Sequence, residues 1–282
     1  MNILITGSNG QLGNEMRVLS QSYPNHTYFF TDVEDLDITN RTAVTDFVTK
    51  NNIDLIVNCA AYTNVDKAEE DEATAMRINA EALSVLGSQG IRVIHVSTDY
   101  VFSGEEHKPC RESDHTAPRT VYGHTKYQGE KRLLAVCPEA VILRTAWLYS
   151  SFGNNFVKTM IRLGKERKEL GVVFDQIGTP TYARDLARAI FAAIRQGVVP
   201  GVYHFSNEGV CSWYDFTKAI HRLAGITTCQ VKPLHTEEYP TPAKRPHYSV
   251  LDKSKIKATF GIEVPYWEES LQECIYQMIV DK

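Results

Sequence analysis

Seven residues, Gly7-Ser8-Asn9-Gly10-Gln11-Leu12-Gly13, follow directly on Met1-Asn2-Ile3-Leu4-Ile5-Thr6 and open an amphipathic run from Leu12 to Leu19. A short apolar strand therefore breaks into a glycine turn and continues as a helix. That order suits a dinucleotide pyrophosphate. The first glycine allows the tight turn, the second lets backbone approach phosphate, and the third lets helix pack on strand beneath the charge at the helix N-terminus. The spacing G-x-x-G-x-x-G departs from G-x-G-x-x-G, and a glycine triplet alone is as often an ordinary turn.

The rest of the first half repeats the alternation. Apolar strand candidates lie at 2–6, 27–31, 55–58, 92–97 and 140–144, with helical runs at 11–21, 41–50, 68–89 and 122–136 between them. Short apolar strands alternating with helices predict an α/β fold, a Rossmann-type doubly wound parallel sheet covered on both faces. Further helices are expected at 153–168, 183–196, 212–224 and 267–280, with one more strand at 201–205. The expected division is a cofactor-binding domain, 1–149 with about 179–206, and a smaller C-terminal substrate-binding lobe, 150–178 and 207–282.

Composition narrows the partners. Of 282 residues, 43% are hydrophobic and 23% charged, and the net charge of −4 gives no basic face for nucleic acid. An anionic small molecule would have to be held by local lysines and arginines. No apolar stretch is long enough for a membrane span, and the amino end lacks a signal-peptide pattern, so a cytoplasmic protein is expected. Six scattered cysteines without C-x-x-C read as reduced thiols, and the nine histidines form no metal-binding motif.

Two further segments carry chemistry. Val96-Ser97-Thr98-Asp99-Tyr100-Val101-Phe102 closes the fourth strand, where ligands bind in open parallel sheets, although such a cluster also commonly just ends a strand. Tyr122-Gly123-His124-Thr125-Lys126 places a phenol and an ammonium four apart on one helix face. A nearby ammonium is expected to lower the tyrosine pKa, and a shift of about 3 units would need roughly 4 kcal/mol. The spacing recurs at Tyr127/Lys131 and Tyr214/Lys218, and only Tyr122 follows the Ser-Thr-Asp strand end at a helix start. The acidic run Glu69-Glu70-Asp71-Glu72 reads as a solvated helix start, favoured by the helix dipole.

Together with Asn58 to Glu69, Arg144 to Tyr149, Asp175 to Thr181 and Arg245 to Ser249, these segments resemble the extended short-chain dehydrogenase/reductase superfamily over nearly the whole chain. Within it they are most similar to the dTDP-4-dehydrorhamnose reductases. The resemblance implies reduction of a sugar C4 ketone, with Tyr122 as proton donor, Lys126 holding the nicotinamide ribose, Thr98 bonding the keto oxygen, and Asp99 and Tyr100 lining the sugar site. It implies that Trp147, Asn155, Phe156, Gln176 and Arg245 meet the nucleotide sugar. By themselves Trp147 reads equally as core packing and Arg245 as a solvated charge.

For the cofactor, the resemblance implies pyrophosphate contacts at Gly7, Gly10, Gln11, Leu12 and Gly13. Asp32 would lie at the adenosine ribose and Asp37 and Ile38 beside adenine. Ala60, Ala61 and Tyr62 would border the nicotinamide end. An acid at Asp32 favours NADH, whereas the family accepts both cofactors, so NADPH or NADH is expected. Alternatives are another nucleotide-sugar reductase, an epimerase or a dehydratase. Dehydratases usually place Glu after this Asp, where Tyr100 stands. A non-catalytic regulatory subunit, similar to that of methionine adenosyltransferase, shares the layout. A monomer or homodimer without a resident metal is expected.

Overall fold

Residues 1–280 are described by a computed structural model. Six parallel strands form its central sheet: β1 (Asn2–Thr6), β2 (Thr27–Thr31), β3 (Leu55–Asn58), β4 (Arg92–Thr98), β5 (Val141–Thr145) and β6 (Gly201–His204). They lie in the order β2-β1-β3-β4-β5-β6. The chain leaves β1 to one side for β2 and returns across it to β3, so the winding direction reverses between β1 and β3. A crevice opens at the carboxyl ends of strands at such a reversal. Thr6, Asn58 and Thr98 end three neighbouring strands on that edge.

Side-chain alternation divides the core into two layers. Ile3, Ile5, Val57, Ile94, Val141 and Leu143 face Leu12 and Met16 of α1 (Gln11–Ser20). Leu4, Ile56, Val93 and Ile142 face the opposite layer, with Val44 and Val48 of α2 (Arg41–Lys50). Burial on both faces explains why these strands read as unbroken apolar runs.

The stretch expected to be one helix over 68–89 is broken. It becomes a turn Val65–Ala68, then α3 (Glu72–Met76), a π-helical turn Arg77–Glu81 and α4 (Ala82–Gly87). Asp71 caps α3 by accepting from Thr74 N–H, and Asn64 caps the preceding turn. Polar side chains that compete for local N–H groups divide the run. Against it packs α5 (Val121–Val136), so closely that a Cβ at Gly129 would lie 2.0 Å from the Asn79 carbonyl oxygen.

The second half supplies α6 (Phe156–Glu166), α7 (Ala183–Arg195), α8 (Trp213–Leu223), α9 (Ser254–Phe260) and α10 (Trp267–Val280). A separate cluster gathers Tyr149, Val157, Leu170, Tyr182, Phe216, Ile220, Trp267 and Leu271. Helix α7 instead covers the sheet through Leu186, Ile190 and Phe191, joined by Ile256 and Phe260 of α9. Short pairings, such as Glu169–Val173 with Gln230–Leu234, tie distant segments together. No helix among the described residues is long and apolar enough to cross a membrane.

Candidate active site

The glycine turn has the geometry a diphosphate requires. Gly7 adopts φ +64°, and a Cβ there would lie 2.6 Å from Ala60 N, so no larger residue fits. Gly13 approaches Ser8 equally closely and lets α1 dock on the turn. Gly10 is the N-cap of α1 but offers no side-chain acceptor, and the first turn holds no acidic residue. The leading N–H groups of α1, those of Gln11, Leu12 and Gly13, are therefore available to an anion. Asp32, closing β2, accepts from Asn9 N–H at 2.9 Å and from Val33 N–H at 2.8 Å, which anchors the turn beside the carboxylate. These residues fit a dinucleotide. The neighbours expected at adenine are more enclosed: Asp37 accepts from the Thr39 N–H and hydroxyl, and Ile38 is buried in the core.

Helix α5 is fixed at its start from two sides. Thr120 accepts from Gly123 N–H at 3.0 Å, and the Glu69 carboxylate accepts from Val121 N–H at 3.0 Å across 52 residues. Glu69 is exposed, as expected of a solvated charge, and in addition it caps a second helix. Tyr122 then meets Tyr100 edge-on at 5.5 Å. Thr98 donates to Asp99 Oδ1 at 2.9 Å and accepts from Tyr100 N–H. Tyr127, on another side of α5, lies under the Lys131 ammonium, so that second Tyr/Lys pair is local.

The electrostatics of the pair differ from expectation. Burial pushes Tyr122 up to about 12; the Thr98 hydroxyl opposes that rise and the Asp99 charge adds to it. Burial pulls Lys126 down to about 8, against the pull of Glu130 and Cys59. The expected lowering of the tyrosine pKa is reversed, because desolvation of the phenolate raises it. Lys126 Nζ points into the sheet, donating to the Val96 carbonyl at 2.6 Å and lying 3.2 Å from His95 Nε2. Asp99 is buried and raised to about 6, with Oδ2 lacking a well-aligned partner.

The crevice wall continues through residues from far along the chain. The Ser249 hydroxyl lies beside Asp99, and Ser249 and Trp147 both crowd Gly178. Trp147 has φ +48°, uncommon for a bulky residue, and stacks on Trp213 at 3.5 Å. Phe156 packs on that same Trp213 at 4.6 Å. Arg245 donates to both oxygens of Asp66 and adds its charge near Tyr100. Two expected substrate residues are occupied by the protein itself. Asn155 caps α6 through Oδ1 while Nδ2 donates to Gln11 Oε1 and the Ser150 carbonyl, and Gln176 donates to the Thr236 hydroxyl.

Asn79 and Trp213 lie outside every sequence motif, and Asp66, inside the Asn58 to Glu69 segment, was given no role there. Asn79, in the π turn, accepts from Tyr62 N–H, and its amide N–H group donates to the Tyr62 carbonyl and the Thr125 hydroxyl. It thereby ties the 60–62 loop to α5, and π turns recur at functional sites. Trp213 reaches Trp147 and Phe156, and Asp66 reaches Arg245, partners distant in sequence. On an exposed edge, Asp175, His235 and Glu237 bring ligand-type atoms within 4.8 Å of one another, where Asp175 already accepts from Thr236.

Residues 1–280 match the family described as RmlD substrate binding domain. A dTDP-4-dehydrorhamnose reductase from Aggregatibacter actinomycetemcomitans is 40% identical, covering 96% of this chain and 97% of that protein. The chain belongs to the dTDP-4-dehydrorhamnose reductase family. A solved family member from Clostridium acetobutylicum is 46% identical, with TM-score 0.95 and complete coverage of both chains. Another dTDP-4-dehydrorhamnose reductase, from Bacillus anthracis, solved in complex with NADP, is 39% identical with TM-score 0.94, covering 98% of this chain and 99% of that one. The full-length agreement with the dTDP-4-dehydrorhamnose reductases includes both the glycine turn and the lobe that carries Trp213 and Arg245.

Proposed function

We infer that the chain is an NAD(P)H-dependent oxidoreductase that reduces the C4 ketone of dTDP-4-dehydro-6-deoxy-L-mannose to dTDP-L-rhamnose. The observation that carries this is Tyr122 against the Thr98 hydroxyl at the crevice edge of β4, with Lys126 one helical turn further along α5, within a chain alike its reductase relatives from end to end. A nicotinamide, when bound, supplies hydride to the ketone carbon. The glycine turn and Asp32 would hold the dinucleotide, with Ala60, Ala61 and Tyr62 at its nicotinamide end.

The protein's part is to position the ketone and deliver one proton. A phenol raised to about 12 keeps its proton at neutral pH, which is the state a donor needs. The Lys126 ammonium, one helical turn away, stabilises the phenolate as the proton leaves. Thr98 has a single hydroxyl proton, now given to Asp99; a keto oxygen in the crevice would draw it away. Trp147 forms an apolar wall for the sugar, and Arg245 offers its remaining N–H groups to the diphosphate. The roles proposed for Asn155 and Gln176 are to shape the cofactor turn and the sugar pocket through their protein partners.

The proposed division assigns 1–149 and about 179–206 to the cofactor and 150–178 and 207–282 to the substrate. A cytoplasmic setting fits the nucleotide-linked substrate and the six cysteines, none of them in a disulfide. The deciding experiment supplies the dTDP-4-keto sugar with NADPH and follows both reactants. One equivalent of cofactor is expected to be oxidised per dTDP-L-rhamnose formed. Product without net cofactor oxidation would indicate an epimerase or dehydratase and overturn the reading.

A further inference from the structure

Lys126 is only 1% exposed, and its ammonium meets a row of side chains that crosses the sheet. Nζ lies 3.2 Å from His95 Nε2 in β4. His95 Nδ1 lies 2.9 Å from the amide of Asn58, the last residue of β3. The same amide lies 2.6 Å from the hydroxyl of Thr6, the last residue of β1. Thr6, Asn58 and His95 are each at most 1% exposed. The row therefore runs unbroken from the lysine on α5 to the residue preceding Gly7.

Donor and acceptor rules fix its polarity. Burial, reinforced by the Lys126 charge, holds His95 well below the ordinary histidine range, so the ring is neutral. A neutral imidazole has one N–H and one lone pair, and an ammonium can only donate. Nε2 must therefore accept from Lys126, which puts the proton on Nδ1. Asn58 must then turn its oxygen to His95 and its N–H group to Thr6. Exchanging the amide oxygen and nitrogen achieves this with both distances unchanged.

We propose that His95 is a positioning residue for the reduction: a neutral Nδ1–H imidazole, braced by Asn58 and Thr6, whose Nε2 lone pair aims the Lys126 ammonium. This rests on the roles given above to Tyr122 and Lys126. Val96 carbonyl and His95 Nε2 take two of the three N–H groups and leave the third for the crevice. One acceptor would leave the ammonium free to turn; two acceptors from one strand fix it.

Other groups facing Lys126 cannot substitute. Glu130, one turn further along α5, has both carboxylate oxygens engaged by Arg144 and one also by Ser97. The Cys59 thiol beyond β3 is held neutral by burial, which raises it to about 12. Tyr122, one turn earlier, keeps its proton for the same reason.

Two measurements test the proposal. The first is ¹⁵N NMR of the histidine rings in the unaltered protein, with His95→Gln identifying the signal. A neutral Nδ1–H pattern is expected throughout roughly pH 5.5 to 8. A neutral Nε2–H pattern, or a ring that becomes imidazolium in that range, overturns it.

The second compares variants in steady state. His95→Leu is expected to lower kcat by roughly ten- to hundredfold and raise KM for NADPH, because the ammonium is misaimed. It should also move the alkaline limb of kcat/KM to lower pH, since the ammonium loses an acceptor. His95→Gln, whose amide oxygen reaches the same place, should keep kcat within about threefold and leave the limb in place. A His95→Leu enzyme indistinguishable from the parent, or a His95→Gln enzyme no better than His95→Leu, overturns the proposal. If His95→Leu does not fold, the ring tautomer and the His95→Gln profile decide. Tyr122→Phe runs in parallel: retained activity there defeats the catalytic reading, whereas loss there with an unaffected His95→Leu defeats this inference alone.

Discussion

Arg245 grips Asp66 with two parallel hydrogen bonds, Nη1 to Oδ1 at 3.1 Å and Nη2 to Oδ2 at 2.7 Å, across 179 residues of chain. The pair joins the segment after β3 to the C-terminal part beside Tyr100. It also holds the Asp66 carboxyl below the usual carboxylate range, mainly through the Arg245 hydrogen bond. Both partners are partly exposed, so solvent screens the pair and its direct value to stability is modest. Its value is orientation, since a bidentate fork fixes the guanidinium plane. Arg245→Ala is expected to raise KM for the nucleotide sugar by about tenfold or more, because it leaves a carboxylate without its counter-charge where the diphosphate is proposed to bind. Asp66→Ala combined with Arg245→Ala should be less impaired than Arg245→Ala alone. Steady-state kinetics of the two single variants and the double variant check this.

Tyr122→Phe removes one hydroxyl and keeps the ring against Tyr100. Turnover should fall by about 10²–10⁴. NADPH affinity, read by fluorescence titration, should change by less than about threefold, since no pyrophosphate contact is touched. Unaltered turnover would exclude the phenol as the proton donor.

Lys126 gives the pH dependence its direction. Its ammonium, lowered by burial to about 8, loses its charge as pH rises through that value. The phenolate left on Tyr122 then lacks a counter-charge, so kcat/KM should fall on the alkaline side near pH 8. Lys126→Met should lack this limb and have little activity. A parent profile that stays flat to pH 10 would refute the assignment.

Asp99 makes a separate prediction about stability. Burial raises its pKa from 3.8 to about 6, so the folded chain holds a proton that the unfolded chain has lost between those values. The stability linked to that proton is complete below the unfolded value and is gone once pH has risen through about 6. The interval corresponds to roughly 3 kcal/mol. Asp99→Asn cannot ionise, so its stability relative to the parent should improve by up to that amount between pH 4 and 7. Urea unfolding of both proteins at the two pH values reads the difference.

Much of the framework was legible because strands buried on both faces are written as apolar runs. Residues 55–58, bounded by polar turns, read as a strand and are a strand buried along its whole length. The break at 69–71 and the π turn at 77–81 were not legible, since Ala75, Ala80 and Leu83 keep helical spacing across that turn. Asn79 leaves that spacing to meet Tyr62, a contact no local window contains. The site followed the same rule. Thr98, Tyr122 and Lys126 stand in contiguous motifs, whereas Trp213, Asp66 and His95 gain their roles from partners far away in the chain.

By itself the amino-acid order determined the glycine turn, the alternation of strand and helix, and the spacing that puts Tyr122 and Lys126 on one helix face. Those depend on neighbours within a few residues, where backbone geometry and helical periodicity settle the outcome. Only the packed molecule decided the charge states and the aim of the groups. Burial raised Tyr122 and lowered Lys126, and adjoining strands lined up Thr6, Asn58 and His95 behind the lysine. Desolvation depends on everything that surrounds a charge, and that surrounding forms only when strands distant in sequence lie side by side.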